Sequence, residues 1–407
     1  MALPGMTDQA GAAARGTAPM GLAAACCSRQ ATRIEHRAGL PFLFDAFWTS
    51  RQRQTHPLHE VSYRACFKPQ LPAFFIERLT CPGEVVHDPF MGRGTTPIQA
   101  ALMGRRAIGS DINPLSKLLV RPRLAPPSLE AIGARLAAID FGGPAPEADD
   151  ALRVFYHPET LTQIHALRSY LIEREASGRL DGVDDWIRMV AIGRLTGHSP
   201  GFFSVYSLPP NQAASLAGQR RINQSRRQTP PPRPVPGLIL RKSEALLRRG
   251  GPPAGIAARL MTAPASATPA IATGGVDLVV TSPPFLDVID YAADNWLRAW
   301  FAGLDGAAPP IARHHSPGDW TAFVRATFVE LARVVRPGGH VAFEVGEVRC
   351  GRLALEMLVL EAICGLPFEP LCVLVNTQAF TKTANCWGVG NNAKGTNSNR
   401  IVLARRI

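Results

Sequence analysis

Residues 84–113 read EVVHDPFMGRGTTPIQAALMGRRAIGSDIN. The apolar stretch at 84–90 ends in a turn holding Gly92 and Gly94. The segment TTPIQAALMGR then has the composition of a helix, and RAIGSDIN at 106–113 is the next strand. Short β-branched runs bounded by turn residues predict strands, and a longer run without them predicts a helix. Gly92 and Gly94 permit a tight turn and let backbone come close to a ligand. The helix that follows offers free N–H groups to an anion such as a carboxylate, with Thr95 and Thr96 placed to cap it or donate hydroxyls. Asp111 lies 17 residues after Gly94, at the end of the second strand. A carboxylate there can accept two hydrogen bonds from ribose hydroxyls. Pro97 stands where a dinucleotide fingerprint has its third glycine, and no Gly-Lys-Ser/Thr follows. The pattern therefore points to a nucleoside cofactor with an anionic end and no pyrophosphate. A lone Gly-x-Gly is an ordinary corner. Strand, turn, helix, strand and terminal Asp together carry more.

Outward from this corner the chain keeps alternating. GLILRK (237–242) is a weaker strand, VDLVVTSPPF (276–285) a strong one, and a helix then leads through the Pro337–Gly339 turn into a strand at His340–Val345. EPLCVLVN (369–376) and NRIVLARRI (399–407) close the set. Such alternation argues for an α/β fold with a mostly parallel sheet and helices on both faces. Ligands of such sheets sit outside the carboxyl ends of the strands.

The strand at 276 ends in Ser282-Pro283-Pro284-Phe285. Two prolines fix φ, remove two backbone donors and push each preceding residue out of the helical region. The result is a stiff extended corner whose carbonyl no helix can consume. Ser282 adds an acceptor and Phe285 a flat face. Two acceptors and a stacking ring suit an exocyclic amine on a planar base, which must leave the duplex to be reached. An isolated Ser-Pro-Pro is also a proline-rich ligand motif or a simple strand stop.

Phe90-Met91-Gly92-Arg93-Gly94 and Ser282-Pro283-Pro284-Phe285 resemble the two signatures of the amino-methyltransferases that modify DNA at cytosine N4 or adenine N6 with S-adenosylmethionine. The likeness covers roughly 55–125 and 237–407, in the family's order. It implies a Rossmann-like methyltransferase fold with a seven-stranded, mostly parallel sheet. It also implies S-adenosylmethionine held by Phe67, Lys68, Asp88, Phe90, Gly92, Gly94, Thr95 and Asp111, with Pro69 beside them. Catalysis falls to Ser282, Pro283, Pro284 and Phe285, with no metal. Serine at the first motif position leans to cytosine N4, whereas Asp or Asn leans to adenine N6. Cytosine C5 chemistry is disfavoured because no Pro-Cys dipeptide occurs. Arg93 stands where a small residue is common, and its bulk is expected to point outward. The acid of the third strand is not clear; Ser243 and Glu244 are candidates.

More than 180 residues separate Thr96 from Ser282. The organisation expected is a disordered tail at 1–45, a first catalytic part at 46–125, an inserted, mainly helical or irregular recognition region at 126–237, and a second catalytic part at 238–407. In the insertion, GQRRINQSRRQTPPPRP carries Arg220, Arg221, Arg226, Arg227 and Arg233. Such a run contacts phosphates, ordering on binding, or is a solvated linker. Downstream of the proline corner, Asp287, Asp290, Tyr291, Asp294, Asn295 and Trp296 shape the pocket or pack and cap a helix. Asn385, Asn391, Asn392 and Asn397 crowd a Gly-rich loop that contacts DNA, closes over the site, or is a plain hairpin.

The bulk numbers agree with this reading. The 407 residues are 46% hydrophobic and carry a net charge of +12, which favours a polyanionic partner. Genomic base bias produces the same Ala- and Arg-rich composition. No apolar run reaches the roughly 18 residues of a membrane span. Eight scattered cysteines form no Cys-x-x-Cys, so neither a zinc site nor a redox pair is indicated. The expected partner is double-stranded DNA, with a restriction endonuclease as a possible companion, in a cytoplasmic, nucleoid-associated monomer or dimer. Alternatives are an RNA base-amine methyltransferase, for whose usual N-terminal RNA-binding domain the low-complexity start gives no room, and a catalytically idle nucleic-acid-binding protein on the same fold.

Overall fold

A computed structural model describes residues 31–48, 55–64, 66–142, 147–286, 291–304, 314–346, 348, 352–377 and 398–407. Asp287, Asp290, the side chain of Tyr291, and Asn385, Asn391, Asn392 and Asn397 lie outside the described residues.

Nine strands form one sheet: β1 (Arg33–Arg37), β2 (Leu40–Asp45), β3 (Val85–Asp88), β4 (Arg106–Asp111), β5 (Ala258–Thr262), β6 (Val276–Thr281), β7 (Val335–Gly346), β8 (Phe368–Thr377) and β9 (Ser398–Arg406). Their spatial order is β1-β2-β8-β9-β7-β6-β3-β4-β5. Strands β7, β6, β3, β4 and β5 run parallel, and β9 inserts antiparallel between β7 and β8. The expected seven strands are thus β3–β9, and two more extend the sheet. These two correct the expected tail: Arg33–Asp45 is a hairpin whose second strand pairs in parallel with β8. Its alternation is readable. Phe42 and Phe44 are buried, with the Arg37 guanidinium 5.0 Å over the Phe42 ring and the Arg33 guanidinium 4.1 Å over the Phe44 ring.

The helices are α1 (Gln70–Leu79), α2 (Thr95–Leu102), α3 (Pro114–Leu124), α4 (Leu129–Ala138), α5 (Pro158–Ala176), α6 (Gly182–Ile192), α7 (Leu216–Arg226), α8 (Val235–Leu247), α9 (Tyr291–Phe301), α10 (Pro317–Val334) and α11 (Leu355–Ile363). One sheet face buries Val279, Val341 and Phe343 under Trp320, Val324 and Phe328 of α10 and Val359 of α11. The other buries Leu278, Val280 and Leu403 under Leu71, Phe74 and Phe75 of α1. A third core, around Trp186, Ile187, Leu238 and Phe301, joins α3–α9. Among the described residues no helix is long and apolar enough to cross a membrane.

Two sequence expectations change here. GLILRK is not a strand: it lies inside α8, and Leu238, Ile239, Ser243 and Leu246 are buried on that helix. Val235-Pro236 at its start suits a helix N-terminus, where the missing donor costs nothing. The expected boundary at 237/238 therefore falls within one helix. The third strand is β5, which pairs with β4 from Ala107↔Ala258 to Asp111↔Thr262. Its residues are mostly exposed or half-buried, so it lacks the apolar run that marks an interior strand. Ser243 and Glu244 cannot be the acid of that strand. Ser243 instead accepts a 2.9 Å hydrogen bond from the Trp186 indole.

Candidate active site

Strands β3 and β6 are neighbours, with Val86 opposite Leu278 and His87 opposite Val279. That pairing carries the glycine turn and the proline corner to one edge of the sheet. Two hydroxyls tie them together. Thr281 donates to Asp88 Oδ1 at 2.6 Å, and Thr96 donates to the Val280 carbonyl at 3.0 Å. Thr96 is therefore a strap between motifs rather than a helix cap, while Thr95 is buried and accepts from Arg93 Nε at 3.3 Å. Asp88 is 1% exposed, and burial pushes its carboxyl up to about 7 despite the donors Thr281 Oγ1 and Phe90 N–H.

The turn is held from outside. Gly92 N–H donates to Asp111 Oδ2 and Asn113 N–H to Oδ1, both at 2.8 Å. Each carboxylate oxygen has a second lone pair, so Asp111 keeps acceptor capacity for a ligand. Burial raises its pKa, against the hydrogen bonds that lower it. Gly94 caps α2 with φ +79°, and a Cβ there would meet Val120 Cγ2 of α3 at 2.4 Å. Gly92, at φ +48°, would put a Cβ only in ordinary contact with the Tyr63 ring, at 3.7 Å.

Arg93 does not point outward. It is 8% exposed, and its Nη1 donates to the Val61 carbonyl at 2.8 Å. Below it the buried Arg123 donates to the carbonyls of Leu58, Leu119 and Arg93. Burial, then the neighbouring Arg93, lowers the Arg123 guanidinium to about 9. Burial and Arg93 also lower the half-buried Lys68 ammonium. The segment before α1 and the glycine turn thus share a cationic interior, while Phe67 packs at the edge of the α1 core. Phe90 lies on the opposite face, its ring 5.6 Å from Phe323.

At the proline corner Pro283 is buried, and Ser282, Pro284 and Phe285 are half-buried. The Pro284 carbonyl accepts from the Trp320 indole at 2.9 Å. No donor reaches the Pro283 carbonyl among the described residues. Glu344 on β7, a carboxyl 4% exposed, follows Phe343, which pairs with Thr281, and so stands beside Ser282; burial raises its pKa, against the Ser282 hydroxyl, which lowers it. Asn399 Nδ2 donates to the same carboxyl at 2.6 Å. Sequence reading missed Glu344, because an acid inside HVAFEVGEV looks like any strand residue. Its position inside the apolar run Val341–Val345 was the available signal.

Asp294 and Asn295 join the insertion to the site. Asp294 accepts from Arg64 at 3.0 Å. Asn295 accepts from Arg298, which also donates to the Ser62 and Pro210 carbonyls at 3.1 and 2.5 Å. The Arg-rich segment is a formed helix. Arg220, Arg221, Arg226 and Arg227 are exposed on or just after α7, and the Arg226 guanidinium lies 3.7 Å over the Tyr206 ring. These arginines do not reach the glycine turn. The segment before α7 is fastened to α9 through Ala213 N–H to Asp294 O at 3.0 Å and Trp296 Nε1 to Ala214 O at 3.2 Å. Among the described residues no group of three or more His, Cys, Asp or Glu could hold a metal ion.

Residues 30–118 match a family described as DNA methylase. The type II methyltransferase M.MjaII of Methanocaldococcus jannaschii is 39% identical over 74 residues, 18% of this chain and 14% of that protein. The type II methyltransferase M.MvaI of Kocuria varians is 35% identical over 81 residues, 19% of this chain and 17% of that protein. The chain thus matches less than a fifth of either relative's length. Among solved structures, a geranyl diphosphate C-methyltransferase from Streptomyces coelicolor is 9% identical, with a TM-score of 0.32 over 83% of this chain and 78% of its own. An rRNA methylase from Streptococcus thermophilus is 8% identical, with a TM-score of 0.31 over 84% and 99%. Neither of these overlays bears on activity. The resemblance to the DNA amino-methyltransferases is borne out at residues 30–118, which hold the Arg33–Asp45 hairpin, the glycine turn and Asp111.

Proposed function

We infer that this chain, which carries the DNA methylase family's residues at 30–118, methylates an exocyclic amine of a base in double-stranded DNA, with S-adenosylmethionine as cofactor and cytosine N4 favoured over adenine N6. The observation that carries the reading is the pairing of β3 with β6, which sets the Ser282–Phe285 corner beside the Gly92–Gly94 turn.

The residues present fit the cofactor. Asp111 retains lone pairs for ribose hydroxyls, and the free amides at the start of α2, with Lys68, suit an anionic end. Phe67, Phe90 and the buried Asp88 complete the wall. When bound, S-adenosylmethionine supplies an electrophilic methyl group on a sulfonium. The chain's own task is to hold the amine in line with it. The Pro283 carbonyl is open to accept one amine hydrogen and Ser282 Oγ the other, while Phe285 stacks on a base drawn out of the duplex. Positioning supplies most of the rate. Acceptors aimed at the amine stabilise the positive charge it develops. The exposed arginines of α7 and the net charge of +12 support phosphate contact by the insertion, taken as 126–237.

The test is methyl transfer from tritiated cofactor to duplex DNA and, in parallel, to transfer RNA, followed by nucleoside analysis. N4-methylcytosine in DNA is the expected product. N6-methyladenine would correct the base, and transfer to RNA alone would overturn the substrate. Pro283→Ala should abolish transfer and leave cofactor binding intact; normal turnover in that variant would sink the assignment.

A further inference from the structure

A serine hydroxyl can face an amine in two ways. Its proton can point into the pocket, where it opposes the amine's own hydrogens, or away from it, leaving only lone pairs there. The neighbours of Ser282 decide between these. Glu344 sits on β7 beside β6, where Thr281 pairs with Phe343. It is 4% exposed, stands beside Ser282, whose hydroxyl lowers its pKa, and accepts from Asn399 Nδ2 at 2.6 Å on the other side, so a proton shared between Ser282 and Glu344 has a direction. An ionised carboxylate is an acceptor only, so Ser282 must be the donor in this bond. Its one proton is then spent toward the sheet.

We propose that Glu344, braced by Asn399, is a positioning and specificity-determining residue that turns the Ser282 proton out of the pocket, so that Ser282 Oγ and the Pro283 carbonyl face the base as acceptors alone. The proposal rests on the methyl-transfer reading and deepens it. A pocket lined by acceptors receives an amine, which has two hydrogens to give. It repels a keto oxygen at the same place, because lone pairs would face lone pairs with no water to separate them. Cytosine and adenine are therefore admitted in their amino forms, and uracil and thymine are excluded by their 4-keto group. If Glu344 takes up a proton, it becomes able to donate to Ser282, and the serine proton is released to turn inward.

Among the described residues no charged group contributes to the raised pKa of Glu344; its causes are burial, opposed by Ser282 and Asn399. From β9, Asn399 and Ile401 share its face, while Arg400 alternates to the other face and pairs with Glu356 of α11. From β8, the neighbour of Asn399 is the uncharged Asn376. Before α1 stands the cation Lys68, whose pKa burial and Arg93 lower and Cys66 raises. Asp88 reaches Thr281 across β3 and also titrates, near 7, so a profile of the native protein alone mixes the two carboxyls. Comparison with Glu344→Gln separates them.

The experiment measures initial rates of methyl transfer to bacteriophage DNA from pH 5 to 8.5, with cofactor affinity by calorimetry in the same buffers. Glu344→Gln should keep cofactor affinity within about twofold and lose at least about tenfold in rate. Its difference profile against the native protein should lose the acid limb. Ser282→Ala/Glu344→Gln should be no slower than Ser282→Ala, since Glu344 acts through that hydroxyl; a merely structural role would make the losses multiply. Should Glu344→Gln bind no cofactor, Asn399→Ala provides the measurement. Removing that donor raises the Glu344 pKa further, so the acid limb must move to higher pH. A Glu344→Gln rate within twofold of native, multiplying losses, or an unmoved limb in Asn399→Ala each overturns the proposal while native transfer leaves the reading standing. Absence of transfer by the native protein overturns the reading and the proposal with it.

Discussion

At the scale of single residues, the two glycines of the Gly92–Gly94 turn differ in what they tolerate. Gly94→Ala puts a side chain at φ +79° and 2.4 Å from Val120. The left-handed backbone costs about 1–2 kcal/mol, and the overpacking about 1–3 kcal/mol more. Cofactor affinity and thermal stability should both fall. Gly92→Ala meets only an ordinary contact, so its loss should be smaller; equal losses would mean that the Val120 contact is not what makes Gly94 necessary. Asp88 gives a pH prediction. Its folded pKa, about 7, lies above the ordinary 3.8. Below pH 3.8 the carboxyl is neutral whether folded or not. As pH rises from about 4 through 7 the unfolded chain ionises first, so stability falls, by on the order of 4 kcal/mol at the limit. Asp88→Asn should remove that fall in denaturant titrations between pH 4.5 and 8. His87 and His340, both lowered to about 4 by burial, change stability in the opposite direction in either protein, so the difference between the two proteins isolates Asp88. At this scale the sequence showed which residues line the strand ends, because glycine, proline and terminal acids carry their geometry with them. It could not show that Arg93 turns inward or that Glu344 stands behind Ser282. Those facts depend on carbonyls and strands brought close only by the fold.

Among elements, legibility followed burial. Strands β3, β4 and β6 were clear because each has a short apolar run with a turn at its end. The edge strand β5 has no such run, and its place was given to a segment that is helix α8. The confusion has a physical source. Six residues of GLILRK fit either period, and only the full span Val235–Leu247 shows buried positions on one helical face. The Arg33–Asp45 hairpin was hidden by an Ala- and Gly-rich start just before it. The sequence left the α7 segment open between a phosphate-contacting run that orders on binding and a solvated linker, yet it is a formed helix, with Ser215 capping it by accepting from Gly218 N–H at 3.1 Å. A formed helix presents Arg220 and Arg221 as fixed charges, which makes its test quantitative. If each neutralises one phosphate, Arg220→Ala/Arg221→Ala should lower the slope of log affinity against log salt by about 2, with cofactor affinity unchanged. An unchanged slope would remove this helix from the DNA interface. Arg226→Ala should also cost about 0.5–1 kcal/mol of stability, because it removes a cation from the Tyr206 ring.

Across the whole molecule, the insertion and the sheet meet at one buried guanidinium. Arg298 is 6% exposed and donates to Asn295 on α9, to the Ser62 carbonyl before α1, and to the Pro210 carbonyl before α7. Each acceptor belongs to a different part of the chain. Tyr63, next to Ser62, lies against Gly92, and the segment after Pro210 leads into the arginine helix. A planar fork satisfies all three at once. An ammonium on a flexible stem is a point charge and cannot. Arg298→Lys should therefore leave at least one of these half-buried carbonyls without a donor, at about 1 kcal/mol, although charge and approximate length are kept. If Arg298 is what aligns the recognition region with the catalytic edge, cofactor affinity and DNA affinity must fall together in this variant. The arginine substitutions on α7 should lower DNA affinity alone. Calorimetry with cofactor and anisotropy with duplex DNA, at one salt concentration, distinguish the two patterns. A loss confined to DNA would place Arg298 in the interface instead of at the joint. Unchanged stability would mean that water supplies the missing donor to Ser62 or Pro210, and that the two parts are aligned by the shared apolar core around Phe301 and Trp186.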